Sequence, residues 1–210
     1  MITSGAVYLD TLTKVISKLK ETTFVEKFLE QLIILKKNKN TLFIIGNGGS
    51  AGNAQHIAND FTYGATAGTN EAEGFSVNAL SSNQSVITCL ANDLGYDEIY
   101  LQQLKASAVK GDILLALSGS GNSKNIVKAV EYANVNSITT FSVVGYDGGD
   151  LKKISNHILH IEENDMQIAE DVQLIIGHLC MKELNNYYKK LWKKIFIKSM
   201  VKKFHFIQLG

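Results

Sequence analysis

The stretch Leu114–Val130, LLALSGSGNSKNIVKAV, decides how this chain is read. An apolar run passes straight into Ser-Gly-Ser-Gly-Asn-Ser, and an amphipathic run follows. A short, wholly apolar segment suits a strand buried on both faces. A serine or asparagine just ahead of a 3.6-residue period suits a helix start, here at Asn122 or Ser123. Strand, small polar turn and helix together form the repeating unit of a parallel α/β sheet.

Working outward, the unit recurs. TLFIIG (Thr41–Gly46) runs into NGGSAGNAQHIANDFTYG, an apolar strand followed by a glycine-rich turn and a helix. FSVNAL (Phe75–Leu80) precedes SSNQSVITCLANDLG, which reads as a serine-capped helix. ITTFSVVGYDGGDLKKIS repeats the scheme. NHILHIEE (Asn156–Glu163) is a last strand, and DMQIAEDVQLIIGHLCMKELNNYYKKL a long helix. Upstream, Tyr8, Leu9, Leu12, Val15, Ile16 and Leu19 keep a helical spacing that Phe24, Phe28, Leu29 and Leu32 continue, until KKNKN (Lys36–Asn40) breaks it. The expected fold class is α/β, a parallel sheet with helices on both faces. Ligands of such sheets bind beyond the carboxyl ends of the strands, where the Gly/Ser turns fall.

The first turn of a helix carries unpaired N–H groups and partial positive charge. Small residues let the backbone approach an anion, and serines add donors. Ser118, Ser120 and Ser123, with the amides of Gly119, Gly121 and Asn122, can surround one phosphate; a plain turn with an N-cap is the alternative. The spacing is neither G-x-x-x-x-G-K-[ST] nor G-x-G-x-x-G, so nucleotide binding is not favoured. Asn47, Gly48, Gly49 and Ser50 form a second such turn. The chain has no proline, and all 21 basic residues are lysine. An anion therefore cannot be gripped by a bidentate guanidinium and must be held by lysine, hydroxyl or amide.

His56 and Asp60 lie four residues apart, on one helical face. On the last long helix, at about 100° per residue, Asp171 falls about 20° from His178 and Glu170 about 80° from it, so either acid can share a cleft with His178. Histidines with carboxylates can hold zinc or do acid–base work; each alone is more often a packing residue.

The 210 residues, 45% hydrophobic and 20% charged, suit one soluble globular domain. No signal peptide and no membrane-length apolar run is recognisable. Cys89 and Cys180 match no metal or redox spacing and read as buried free thiols of a cytosolic protein. From Tyr187 onward there are seven lysines and no acid, against fourteen lysines and twenty acids before it. The chain thus divides into a mildly acidic body, 1–186, and a basic tail, 187–210. In the tail, Leu191, Trp192, Ile195, Phe196 and Ile197 among lysines suit a helix packed on a neighbouring subunit, an anionic membrane surface, a nucleic-acid contact or an ill-ordered extension.

FIIGNGGSAGNAQHIA, TCLANDLGYD, GDILLALSGSGNSKNIVKAV and AEDVQLIIGHL resemble the SIS (sugar isomerase) domain family, and within it the phosphoheptose isomerases, over roughly residues 9–184. The resemblance implies a three-layer αβα sandwich around a five-stranded parallel sheet. It implies a cytoplasmic homotetramer with active sites between subunits and no nucleic-acid partner. The implied reaction converts sedoheptulose 7-phosphate to heptose 7-phosphate for surface glycans such as lipopolysaccharide or capsule. Ser118, Gly119, Ser120 and Ser123 match phosphate-binding positions. Asn47, Gly48, Ser50, Asn92 and Asp93 match positions near the sugar. His56 matches a zinc-binding histidine, and His178 a catalytic histidine that can also ligate Zn2+. Asp60 stands where the family has a glutamate base, and Glu170 where it has a glutamine ligand. The implied catalytic pair is Asp60 and His178, the implied metal set His56, Asp60, Glu170 and His178, with Glu170 also beside the substrate. Some members of the superfamily are non-catalytic sugar-phosphate sensors or dock onto partners; that role, or an isomerase of a different sugar phosphate, is the competing expectation.

Overall fold

Two apolar strands, β1 (Thr41–Gly46) and β3 (Ile113–Ser118), lie side by side at the centre of the molecule, in parallel. The computed structural model describes residues 5–69 and 73–207, with side chains as far as Lys194. β2 (Ser76–Ala79) flanks β1, and β4 (Thr139–Val144) and β5 (His157–His160) extend the other side, giving the order β2-β1-β3-β4-β5, every pair parallel. The central strands are apolar because both faces are covered. Leu42, Ile44, Ile113, Leu115, Leu117, Phe141 and Val143 face one core. Phe43, Ile45, Leu114, Ala116 and Val144 face the other.

The first core is covered by α2 (Phe24–Asn38), α3 (Gly49–Thr62) and α8 (Met166–Ile207). α1 (Gly5–Lys18) adds partly buried Tyr8, Leu12 and Val15 to it. The second core is covered by α4 (Gln84–Asp93), α5 (Leu101–Ser107), α6 (Lys124–Val135) and α7 (Leu151–Ile154). The helix after β1 and the helix after β3 therefore lie on opposite faces. Between these two strands the order reverses, which opens a crevice at their carboxyl ends.

Several local expectations are corrected. The N-terminal helical run is broken at Thr22, whose backbone is extended and whose Oγ1 accepts from the Phe24 amide at 3.2 Å. α4 is capped by Asn83, whose side chain accepts from the Val86 amide at 3.2 Å, and not by a serine; Ser82 bonds the Ala79 carbonyl instead. β5 stops at His160, because Val144 at the end of β4 is the last residue it can pair. Cys180 is buried, but Cys89 is exposed, since α4 contributes no fully buried residue. α8 runs for 42 residues without a break at Tyr187, about 63 Å of helix. The side chains of Ile195, Phe196 and Ile197, singled out in the tail, lie outside those described. Among the described residues, no helix is long and apolar enough to cross a membrane.

Candidate active site

The two turns flanking the crevice line one cavity of about 270 Å³. Asn47, Gly48, Gly49 and Ser50 come from the β1–α3 turn, and Ser118, Gly119, Ser120 and Ser123 from the β3–α6 turn. Ser123 is the N-cap of α6, yet its side chain makes no capping bond and faces the cavity. A serine present only to cap would use its hydroxyl on the helix amides. Ser118 Oγ accepts from the Gly121 amide at 3.1 Å, and Ser120 Oγ from the Asn122 amide at 3.2 Å. Those two amides are thus engaged within the turn, contrary to the expectation that they face the ligand. Each hydroxyl still has its own proton to donate. Gly121 has a φ of +69°, and a side chain there would collide with the Gly148 carbonyl, so this tight turn needs glycine.

Among the described residues, the cavity has one ionisable side chain, and it is an acid, Glu170. Its carboxylate lies so close to Gly49 that a Cβ on that glycine would strike it. Among the described residues, an anion held here relies on hydroxyls, amides and two helix N-termini, with no lysine lining the cavity.

Asn47 is held by its neighbours. It exchanges two hydrogen bonds of 2.9 Å with buried Asn125 of α6, and the Tyr96 hydroxyl donates to its Oδ1 at 3.1 Å. This joins the start of α3 to the start of α6 across the crevice. Asn125 and Tyr96 went unremarked in the sequence, where neither stands in a distinctive pattern. Asn92 and Asp93, at the end of α4, bond each other at 2.7 Å, and Cys89 donates to Asp93 at 3.5 Å. They are exposed and do not line the cavity.

From the cavity, α3 and α8 run side by side. One stripe of α3, Gly49, Asn53, His56 and Asp60, faces Glu170, Gln173, Gly177 and His178 of α8. Two turns along this seam, His56 Nε2 and His178 Nε2 approach to 2.9 Å, and each stands 3.6 Å from Asp60 Oδ2. The three ligand atoms lie within 4.8 Å of one another, the only such metal-capable group among the described residues. Three ligands at about 2.0–2.1 Å on a tetrahedral ion stand about 3.3 Å from each other, so the trio fits zinc in spacing and chemistry. Both histidines are about half exposed, leaving an open side.

Glu170 is not in this group: it sits two turns away, against Gly49. Asp171, the other acid placed near His178 by helical angle, is drawn to α1, where its Oδ2 accepts from the Tyr8 hydroxyl at 2.6 Å. The partner of His178 is Asp60, from another helix. A larger cavity, about 680 Å³, lies between α1 and β5, away from these groups.

Comparison with known proteins places the chain in a family. Residues 7–145 match the pattern of the SIS domain. The chain belongs to the SIS domain family. It is 38% identical over 148 residues to a phosphoheptose isomerase of Helicobacter pylori, covering 70% of this chain and 76% of that one. It is 37% identical over 158 residues to the phosphoheptose isomerase of Trichlorobacter lovleyi, covering 75% and 79%. The solved structure of a phosphoheptose isomerase from Francisella tularensis superposes with a TM-score of 0.78 at 21% identity, covering 88% of this chain and all of that one. Within the SIS family the chain stands with the phosphoheptose isomerases. Its SIS match ends at Gly145, so α8 supplies His178 from beyond the matched segment.

Proposed function

We propose that the protein is an aldose–ketose isomerase of sugar phosphates, converting sedoheptulose 7-phosphate to D-glycero-D-manno-heptose 7-phosphate. One observation carries the reading: Asp60 meets both His56 and His178 on the same α3–α8 seam that ends in the serine-lined cavity. Ser118, Ser120 and Ser123 bind the phosphate, and Asn47, Gly48, Ser50 and Glu170 lie along the sugar. Asp60 moves a proton between the two carbons beside the carbonyl, through an enediol. His178 exchanges protons with the oxygens. A carboxylate and an imidazole suit this near neutral pH. Binding at the phosphate end positions the reacting carbon.

Zinc, held by His56, Asp60 and His178, supplies polarisation of a carbonyl oxygen when bound. Asp60 turns Oδ2 to the histidines, and a carboxylate has a second oxygen for the proton.

The protein acts in the cytoplasm as a homotetramer in which neighbouring protomers complete each site. The exposure of His56, His178 and the Asn92–Asp93 pair favours that assembly. The product feeds surface glycan synthesis. The basic part of α8 that begins at Tyr187 extends the body and packs on a neighbouring subunit. The acid with two histidines favours an enzyme over a sugar-phosphate sensor. An assay of purified protein on a panel of ketose phosphates tests the whole: turnover of sedoheptulose 7-phosphate, lost in Asp60→Asn, is expected. Full turnover by Asp60→Asn, or none by the unsubstituted protein, refutes it.

A further inference from the structure

Midway along the α3–α8 seam, between the cavity and the His56–Asp60–His178 group, stands a polar pair used neither for anion nor for metal. Asn53 Nδ2 donates to the Glu170 backbone carbonyl at 2.9 Å and to Gln173 Oε1 at 3.1 Å. Gln173 is 1% exposed, and its Nε2 is buried without a hydrogen-bond partner.

A stranded buried donor is unfavourable, and leucine would fill the same space without one. The amide is thus not there to balance hydrogen bonds locally. What it offers is Oε1, an acceptor aimed at α3. Helix packing through Ile57 and Gly177 leaves some freedom to slide, because apolar contacts are not directional. A side-chain amide bonded at once to a backbone carbonyl and to Gln173 one turn on is directional. It fixes where Asn53 stands along α8. His56 follows Asn53 by one turn of α3, and His178 lies beyond Gln173 on α8, so this register sets how the histidines and Asp60 meet.

We propose that Asn53 and Gln173 are positioning residues: together they lock the register of α3 on α8, and so hold His56 and Asp60 against His178 in the arrangement that takes a metal ion. The inference rests on the metal-assisted isomerase reading and adds to it the residues that preorganise the site. Small displacements of reacting or ligating groups are costly, so the lock is expected to act on metal affinity and kcat more than on folding.

The test uses Gln173→Leu, Asn53→Ala and the double variant of the full chain. Zinc affinity is measured by competition with a chelator, thermal stability on metal-free protein, and isomerase kinetics on zinc-loaded protein. Gln173→Leu is expected to be as stable as the unsubstituted protein or more so, having lost a stranded donor. Its zinc affinity should still fall about tenfold, with kcat reduced and KM little changed. Asn53→Ala, at a half-buried helical position that alanine favours, keeps the fold and should show the same loss. The double variant should be no worse than either single one, since the pair acts as a unit. Zinc affinities within about twofold of the unsubstituted protein in both single variants overturn the proposal. So do losses that merely track a fall in thermal stability, or losses that add in the double variant. Absence of turnover by the unsubstituted protein would count against the isomerase reading alone, because zinc affinity and stability are read without substrate. Absence of zinc binding by it overturns the positioning role as well.

Discussion

Gly177 of α8 rests directly on Ile57 of α3: a methyl group at Gly177 would come within 2.5 Å of Ile57 Cγ1. Ile57 is buried and cannot swing aside. The missing side chain lets the two helices approach closely enough for His56 and His178 to meet one residue away from this contact. Gly177→Ala should therefore force them apart. The expected cost is about 1–3 kcal/mol of stability from overpacking, together with a loss of zinc affinity and isomerase rate. Thermal denaturation and metal titration on one preparation check this.

Asp60 and His178 answer to kinetics. Asp60→Asn keeps shape and removes the proposed base, and His178→Ala removes its proposed partner. Each should lower kcat by roughly 10²–10⁴-fold, with KM for the sugar phosphate little changed, because the phosphate end lies two turns away. A loss confined to KM would assign these residues to substrate binding.

Ser123 separates anchoring from capping. Its hydroxyl caps nothing in α6, so Ser123→Ala should leave the melting temperature nearly unchanged, whereas loss of a true cap costs about 1 kcal/mol. A hydrogen bond to a charged phosphate is worth about 1.5–3 kcal/mol, so KM should rise roughly 10- to 100-fold. A lower melting temperature with unaltered KM would restore the plain N-cap reading.

The two thiols should differ in reactivity. Burial pushes the Cys180 thiol up to about 12, from an ordinary 9.0. Cys89 is exposed, and its hydrogen bond to Asp93 raises it as well. Thiolate is the reactive form. A disulfide-exchange reagent should thus label Cys89 slowly and increasingly at alkaline pH, label Cys180 only after unfolding, and count one thiol in the native chain against two in denaturant.

Tyr8 ties α1 to α8. The bond it donates to Asp171, aided by burial and by that carboxylate's charge, raises the phenol from 10.0 to about 12. The folded state thus holds this proton more tightly than the unfolded one. Its contribution is complete below pH 10 and is lost as pH rises through about 12. Limited proteolysis should release α1 progressively over that interval, and in Tyr8→Phe already near neutrality. Equal α1 protection in both proteins at every pH would show that the bond does not hold the helix.

The sequence by itself determined the layers and the turns. TLFIIG and ILLALS are apolar at every position but their ends, which only a strand covered on both faces tolerates, and the polar turns after them mark the carboxyl ends of β1 and β3. That Ser118, Ser120 and Ser123 gather at one turn, where they line one cavity, was legible for the same local reason, since the handover from strand to helix is built from consecutive residues. Contacts between distant segments were not legible. Helical angle on α8 left Glu170 and Asp171 as rivals for His178, but Gly49 receives one, Tyr8 captures the other, and Asp60, 118 positions earlier in the chain, takes the place beside His178. The stripe Gly49–Asn53–His56–Asp60 could be counted along α3 beforehand. What it faced depended on how tightly two helices far apart in sequence could approach, and Gly177 against Ile57 decided that only once both were folded onto the same sheet.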